Sequence, residues 1–166
     1  MTKTWPVLLL AIACSGKDTG DTAMDEHEDP GDHACEQVGT AGDAVSATTD
    51  IASAPHLEAS ETPYTVTLPD DGSGVYQGFV ALQIDEDAEV LLFADTADVV
   101  TALYQDEAPA TLPEASPAEE CGSDLPEHWE LDLAAGVWQL ELGPSAVDTV
   151  WLMVLGAEGH GGHEDH

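Results

Sequence analysis

From Tyr64 onward, the apolar residues of this chain recur at every second position, in short runs broken by turn residues. That period places alternate side chains on opposite faces of an extended strand, unlike the 3.6-residue period of a helix. Tyr64, Val66 and Leu68 alternate with threonines until Pro69-Asp70-Asp71-Gly72 breaks the run. Val80, Leu82 and Ile84 alternate next, ahead of Asp85-Glu86-Asp87. Residues 89–94 (EVLLFA) and 150–155 (VWLMVL) are apolar on both faces, which predicts inner, buried strands. Residues 99–104 (VVTALY) add another run, and 44–51 are a further candidate strand. Trp129, Leu131 and Leu133, the turn Ala134-Ala135-Gly136, then Trp138, Leu140 and Leu142 predict a β-hairpin. A Pro- and Glu-rich excursion, residues 106–126, separates these runs and carries Cys121. Seven or eight short strands without a helical period predict an all-β domain: an antiparallel β-sandwich, jelly-roll or immunoglobulin-like.

The chain carries 34 acidic residues against two lysines and no arginine. Such a surface repels nucleic acid and anionic lipid headgroups, so a DNA or RNA partner is excluded. It keeps an exported domain soluble, or it collects cations. Acidity alone can signal disorder, but 43% of the residues are hydrophobic and four are tryptophan. With the apolar residues concentrated in periodic runs, a packed core follows.

The first fourteen residues, MTKTWPVLLLAIAC, combine one positive charge at Lys3 with an apolar run from Pro6 to Ala13. A bilayer span needs about 20 residues, so the run fits a removable signal sequence. Ala11-Ile12-Ala13-Cys14 resembles a bacterial lipobox, in which cleavage precedes the cysteine and that cysteine takes the lipid. Ala11 stands where Leu is commonest; an ordinary cleaved signal, with Cys14 incidental, is the alternative. Residues 15–32 (SGKDTGDTAMDEHEDPGD) are almost devoid of apolar side chains and read as a solvated spacer. Their acids do not follow the EF-hand pattern of ligands. The resulting layout is a signal peptide at 1–13, a disordered lipidated tether at 14–34, a β-sandwich at 35–157 and a disordered tail at 158–166.

With Cys14 lipidated, Cys35 and Cys121 remain as an even pair in an oxidising compartment. A bridge between them would contribute about 4–5 kcal/mol by the chain-entropy model, less any native strain. A redox or metal-binding thiol pair is the alternative, disfavoured because no Cys-x-x-Cys spacing exists.

The tail carries the one constellation of site chemistry. His160, His163 and His166 fall three residues apart, with Glu164 and Asp165 interleaved and glycines upstream. Imidazole and carboxylate are ligands for Zn²⁺, Ni²⁺ or Cu²⁺, and glycine lets a short segment wrap an ion. His27 and His33, in the acidic spacer, form a secondary set. Five of the seven histidines thus fall at the two ends of the chain. The competing readings are an inert solvated tail, or a pH sensor built from imidazoles among carboxylates. His56 and His128 carry no assigned role; His128 is expected at a surface or a sheet edge. No Gly-x-Ser-x-Gly elbow, P-loop, dinucleotide fingerprint or His-Glu-x-x-His is present, so no enzyme is read here.

Cys14-Ser-Gly-Lys-Asp-Thr-Gly-Asp-Thr, CEQVG at Cys35, WELDLAAGVWQLELGPS and VWLMVLGAEGHGGHEDH resemble small deltaproteobacterial-type lipoproteins. These carry an exported β-sandwich domain and a His/Asp/Glu-rich tail. In layout the strand region is also similar to pre-peptidase C-terminal domains. The resemblance implies a cell-envelope protein, membrane-bound through its lipid and handling metals; it supplies no catalytic residues. Ser15 after Cys14 suggests the outer membrane under the enterobacterial sorting rule. The function expected is transition-metal binding, zinc foremost, as a buffer or as an accessory to a metal transporter. The competing expectation is an adhesive or structural surface lipoprotein whose sandwich binds protein or glycan.

Overall fold

The computed structural model describes residues 30–118 and 121–156. A short helix, α1 (Pro30–Gln37), comes first, with proline tolerated in the opening turn where its missing N–H is not needed. Ten strands follow: β1 (Asp43–Ser46), β2 (His56–Leu57), β3 (Tyr64–Thr67), β4 (Tyr76–Ile84), β5 (Ala88–Ala94), β6 (Val100–Gln105), β7 (Ala108–Ala110), β8 (Glu127–Leu133), β9 (Gly136–Ser145) and β10 (Thr149–Gly156). A turn of 3-10 helix at Ile51–Ser53 is capped by Asp50, whose side chain accepts from the Ala52 N–H.

The strands form two five-stranded sheets, in the orders β1-β3-β10-β5-β8 and β2-β4-β9-β6-β7. The chain pairs β3 with β10, β4 with β9, β5 with β8 and β6 with β7. This is a long antiparallel ribbon whose tip is β6–β7, rolled so that successive pairs fall in opposite sheets. It is the jelly-roll form of the sandwich, complete in the eight strands β3 to β10. The two remaining strands are edge additions, and both pair in parallel: β1 with β3, and β2 with β4. The sandwich is therefore antiparallel only in its rolled ribbon.

Rolling the ribbon overturns the expected hairpin. Trp129 to Leu133 and Trp138 to Leu142 do form consecutive strands, but β8 lies in one sheet and β9 in the other. Ala134 and Ala135 turn a corner between sheets instead. The Ala135 N–H donates to Asp87 Oδ1 at 2.8 Å, tying this corner to the neighbouring one between β4 and β5. The Trp138 indole N–H donates to the Ala134 carbonyl, also at 2.8 Å.

Between the sheets lie the alternating residues of the sequence. Val66, Val80, Leu82, Val90, Leu92, Trp129, Leu131, Leu140, Leu142, Val150, Leu152 and Val154 are all buried there. A second cluster covers the outer face of β5 and β10: Phe93, Trp151, Met153 and Leu155, capped by Ala34, Ala118 and Leu125. That second layer explains why β5 and β10 read as apolar on both faces.

Its cap has two parts. One is α1, which carries residues 30–34, assigned by sequence to the tether, into the folded body; Ala34 is 0% exposed. The other is the excursion around residues 111–126. Cys35 and Cys121 join the two parts in a disulfide, with Cα atoms 5.1 Å apart.

Candidate functional site

Residues 155 and 156 end β10 beside α1, and a cleft of about 370 Å³ opens between them. Pro30 and His33 of α1, the loop residues Ala59, Ser60 and Glu61, and Leu155 and Gly156 line it. Both walls are fixed. The loop wall is pinned by Tyr64, whose hydroxyl accepts from the Glu58 N–H and donates to the Glu58 carbonyl, each at 2.9 Å. The Ser60 N–H adds a 2.8 Å bond to the Val154 carbonyl of β10. The helix wall is held by buried Ala34 and by the Cys35–Cys121 bond.

His33 is half-buried in this wall, and its Nε2 is fully enclosed with no hydrogen-bond partner among the described residues. A buried ring nitrogen without a partner costs free energy, so native structures seldom leave one. Glu61, on the facing wall, is exposed. The fold thus sets one imidazole and one carboxylate around a cleft lined by Pro30 and Gly156, the first and last residues of the described body.

The other sequence-predicted site residues fall differently. Cys14, His27, His160, His163, Glu164, Asp165 and His166 lie outside the described residues. His56 is exposed in β2. His128 sits on the edge strand β8 and is used structurally. Its Nδ1 donates to the Ser116 carbonyl at 2.8 Å, and its ring stacks on Phe93 with centroids 5.6 Å apart. Among the described residues, no three His, Cys, Asp or Glu side chains converge to hold a metal ion.

A second, shallow cleft of about 400 Å³ lies at the paired corners, lined by Asp87, Glu89 and Asp132 with Ala88, Leu133 and Ala134. Asp87 is already engaged by the Ala135 N–H. On the outer face of the second sheet, Phe79 and Tyr104 meet edge to face, ring centroids 6.1 Å apart. The Tyr104 hydroxyl donates to Glu141 Oε2 at 2.8 Å. That bond to an anion favours the neutral phenol and raises the Tyr104 pKa; burial and the Glu141 charge add to it.

Glu61 and Ser60 escaped the sequence reading. Glu61 is one of 34 acidic residues, and the cleft draws its lining from three separated stretches of chain. Nothing local marks it. Compared with known proteins, the chain matches no family model and no curated protein. What is defined is an all-β jelly-roll sandwich, and a fold of that kind does not fix a function.

Proposed function

We propose that this chain is an exported, lipid-anchored envelope protein that captures transition-metal ions, zinc foremost, as a buffer or as an accessory to a metal transporter. Capture is by His160, His163 and His166 with Asp165 or Glu164, assisted by the secondary histidines His27 and His33. Cys14 carries the lipid and holds the protein at a membrane, the outer membrane on the Ser15 sorting argument. One observation carries the reading: Pro30 and Gly156, the two ends of the described body, line a single cleft. Ligand-rich segments that are remote in sequence are therefore joined to the described body at neighbouring residues, Pro30 and Gly156. The acidic composition, 34 acids and two lysines, adds a field that draws cations in.

Calorimetric titration of the chain from Ser15, with its disulfide oxidised, tests this against Zn²⁺, Ni²⁺, Cu²⁺ and Ca²⁺. Zinc binding is expected in the full chain and is expected to vanish in a chain ending at Gly159. Silence of the full chain with every ion sinks the proposal.

A second reading, binding of protein or glycan by the sandwich, is favoured by the Phe79–Tyr104 pair beside Glu141 on the outer sheet face. Aromatic rings set next to a carboxylate suit a sugar, which offers both C–H and hydroxyl groups. Adhesion of that kind survives removal of the tail.

A further inference from the structure

We infer that the outer face of the second sheet binds an uncharged glycan chain, with Phe79 and Tyr104 as its stacking platform and Gln139 and Glu141 as its hydrogen-bonding groups. The inference rests on the second reading above and deepens it, naming the face and the class of sugar.

Strand register builds this face. Leu57, Leu82, Leu103 and Leu140 turn into the core, so the residues before or after them point outward. Pairing then aligns His56, Ala81, Gln139, Tyr104 and Pro109 in one row across all five strands. Phe79 and Glu141 pair in the next row. From His56 to Tyr104 the row covers three strand spacings, about 14 Å, which suits an extended ligand. The outer face of the first sheet is covered by the apolar cluster over β5 and β10. Among the described residues no such cluster covers this one.

The rings are positioned before any ligand arrives. Phe79 meets Tyr104 edge to face, and Glu141 holds the Tyr104 hydroxyl. Both rings are half-buried, so a ligand has little side-chain freedom left to remove. Gln139 lies opposite Tyr104 and is only 5% exposed. Its Oε1 accepts from the Glu107 N–H at 3.1 Å, and its Nε2 carries no hydrogen bond among the described residues. The polar atoms enclosed without a partner are His33 Nε2, Glu127 Oε2 and Trp151 Nε1, so Gln139 Nε2 opens at the surface. A ligand oxygen gives that donor its missing partner. Glu141 Oε1, two residues along β9, is a free acceptor beside it.

Charge sets the occupant. Residues 30–156 contain no lysine or arginine, so an acidic sugar or a phosphate finds no counter-charge here. Among the outward residues of β4, β6 and β9, Glu141 is the one acid, and Tyr104 already engages it. The chain has no asparagine and only five glutamines, yet Gln77, Gln83, Gln105 and Gln139 all fall in β4, β6 and β9. Neutral amides thus stand where the corners carry carboxylates. Amides beside aromatic rings offer donors, acceptors and apolar surface without charge, which matches the hydroxyl and C–H groups of a neutral sugar. A cation is drawn to the acidic corners instead, and a second copy of so acidic a chain is repelled.

The test is calorimetric titration of the chain from Ser15 with neutral oligosaccharides of glucose, galactose, mannose, xylose and N-acetylglucosamine. Oligomers of galacturonic acid and of glucosamine serve as the charged comparisons. At least one neutral oligosaccharide is expected to bind, and the charged oligomers more weakly. Phe79→Ala and Tyr104→Ala should each weaken binding about tenfold, the loss expected of an anchoring ring. Gln139→Glu keeps the acceptor for the Glu107 N–H but removes the donor, and should weaken binding about 2–10-fold. The Tm of each variant shows whether the body is intact. Should a variant not fold, Tyr104→Phe and the exposed His56→Ala carry the comparison, each with weakened binding expected.

If no neutral oligosaccharide binds, the inference falls; if the charged ones are silent too, the glycan arm of the second reading falls with it. If a glycan binds and the variants of Phe79, Tyr104, Gln139 and His56 keep wild-type affinity, that reading stands and this face is not the site. Charged oligomers that bind as tightly as neutral ones overturn the class of sugar. A wild-type dimer in sedimentation that Tyr104→Ala separates would make the face a self-association surface, and the inference falls.

Discussion

Tyr104 and Glu141 face one another on adjacent strands, and their 2.8 Å hydrogen bond is a local pH device of known sign. The bond forms only with a protonated phenol, so the pKa of Tyr104 is raised above its ordinary 10.0. Its contribution to stability is complete below the ordinary value and is lost as the pH climbs through the raised one. Phenolate absorbance should show a late-titrating tyrosine in the folded protein, and Glu141→Gln should return it towards the ordinary range. A wild-type titration unchanged by Glu141→Gln would show that the carboxylate does not control it. Nothing in the sequence pointed to this pair, because Tyr104 and Glu141 are 37 positions apart and only strand register joins them. His33 is the same case. Its spacing suggested a ligand in a flexible segment, and only the packing of Ala34 against β5 and β10 shows that it sits in a fixed wall.

At the level of elements, strand existence was legible and strand partnership was not. Period-two alternation reports which face of a strand is buried, and the alternating apolar residues named for β3, β4, β8 and β9 all lie in the core between the sheets, whereas β5 and β10 are apolar, and buried, on both faces. The same pattern arises whether two consecutive strands pair as a hairpin or pass between facing sheets. The Ala134-Ala135 corner was therefore misread as a hairpin turn. Helix α1 was missed for a different reason: PGDHACEQ offers only Ala34 to a core, and its fold comes from tertiary partners rather than propensity. One of those partners is the disulfide, which the even cysteine pair did reveal and which closes a separation of 86 residues. Because it joins both parts of the cap over Trp151 and Met153, its loss acts there first. Cys35→Ser with Cys121→Ser should lower stability by about 2–5 kcal/mol in chemical denaturation. Fluorescence of Trp151 should shift as the cap loosens. A double variant as stable as the wild type would mean that packing of Ala34, Ala118 and Leu125 holds the cap alone.

Over the whole molecule, charge is the dominant long-range term. Both lysines, Lys3 and Lys17, precede Pro30, so residues 30–156 contain no lysine or arginine at all. Among the described residues no lysine or arginine is present to pair with a carboxylate, and the sandwich is held by apolar burial, strand hydrogen bonds and one disulfide. Exposed acids crowd the corners, as at Asp85, Glu86 and Asp87 beside Glu89 and Asp132. Their mutual repulsion opposes the compact state and is partly relieved in the expanded one. Salt screens it: the Debye length falls from about 30 Å at 0.01 M to about 3 Å at 1 M. The Tm measured by calorimetry should therefore rise steadily with sodium chloride over that range. A protein stabilised by surface ion pairs would do the opposite, because the same screening weakens attraction. A Tm that is flat or falling with sodium chloride would show that self-repulsion does not limit this fold, and would remove the electrostatic field from the argument for cation capture.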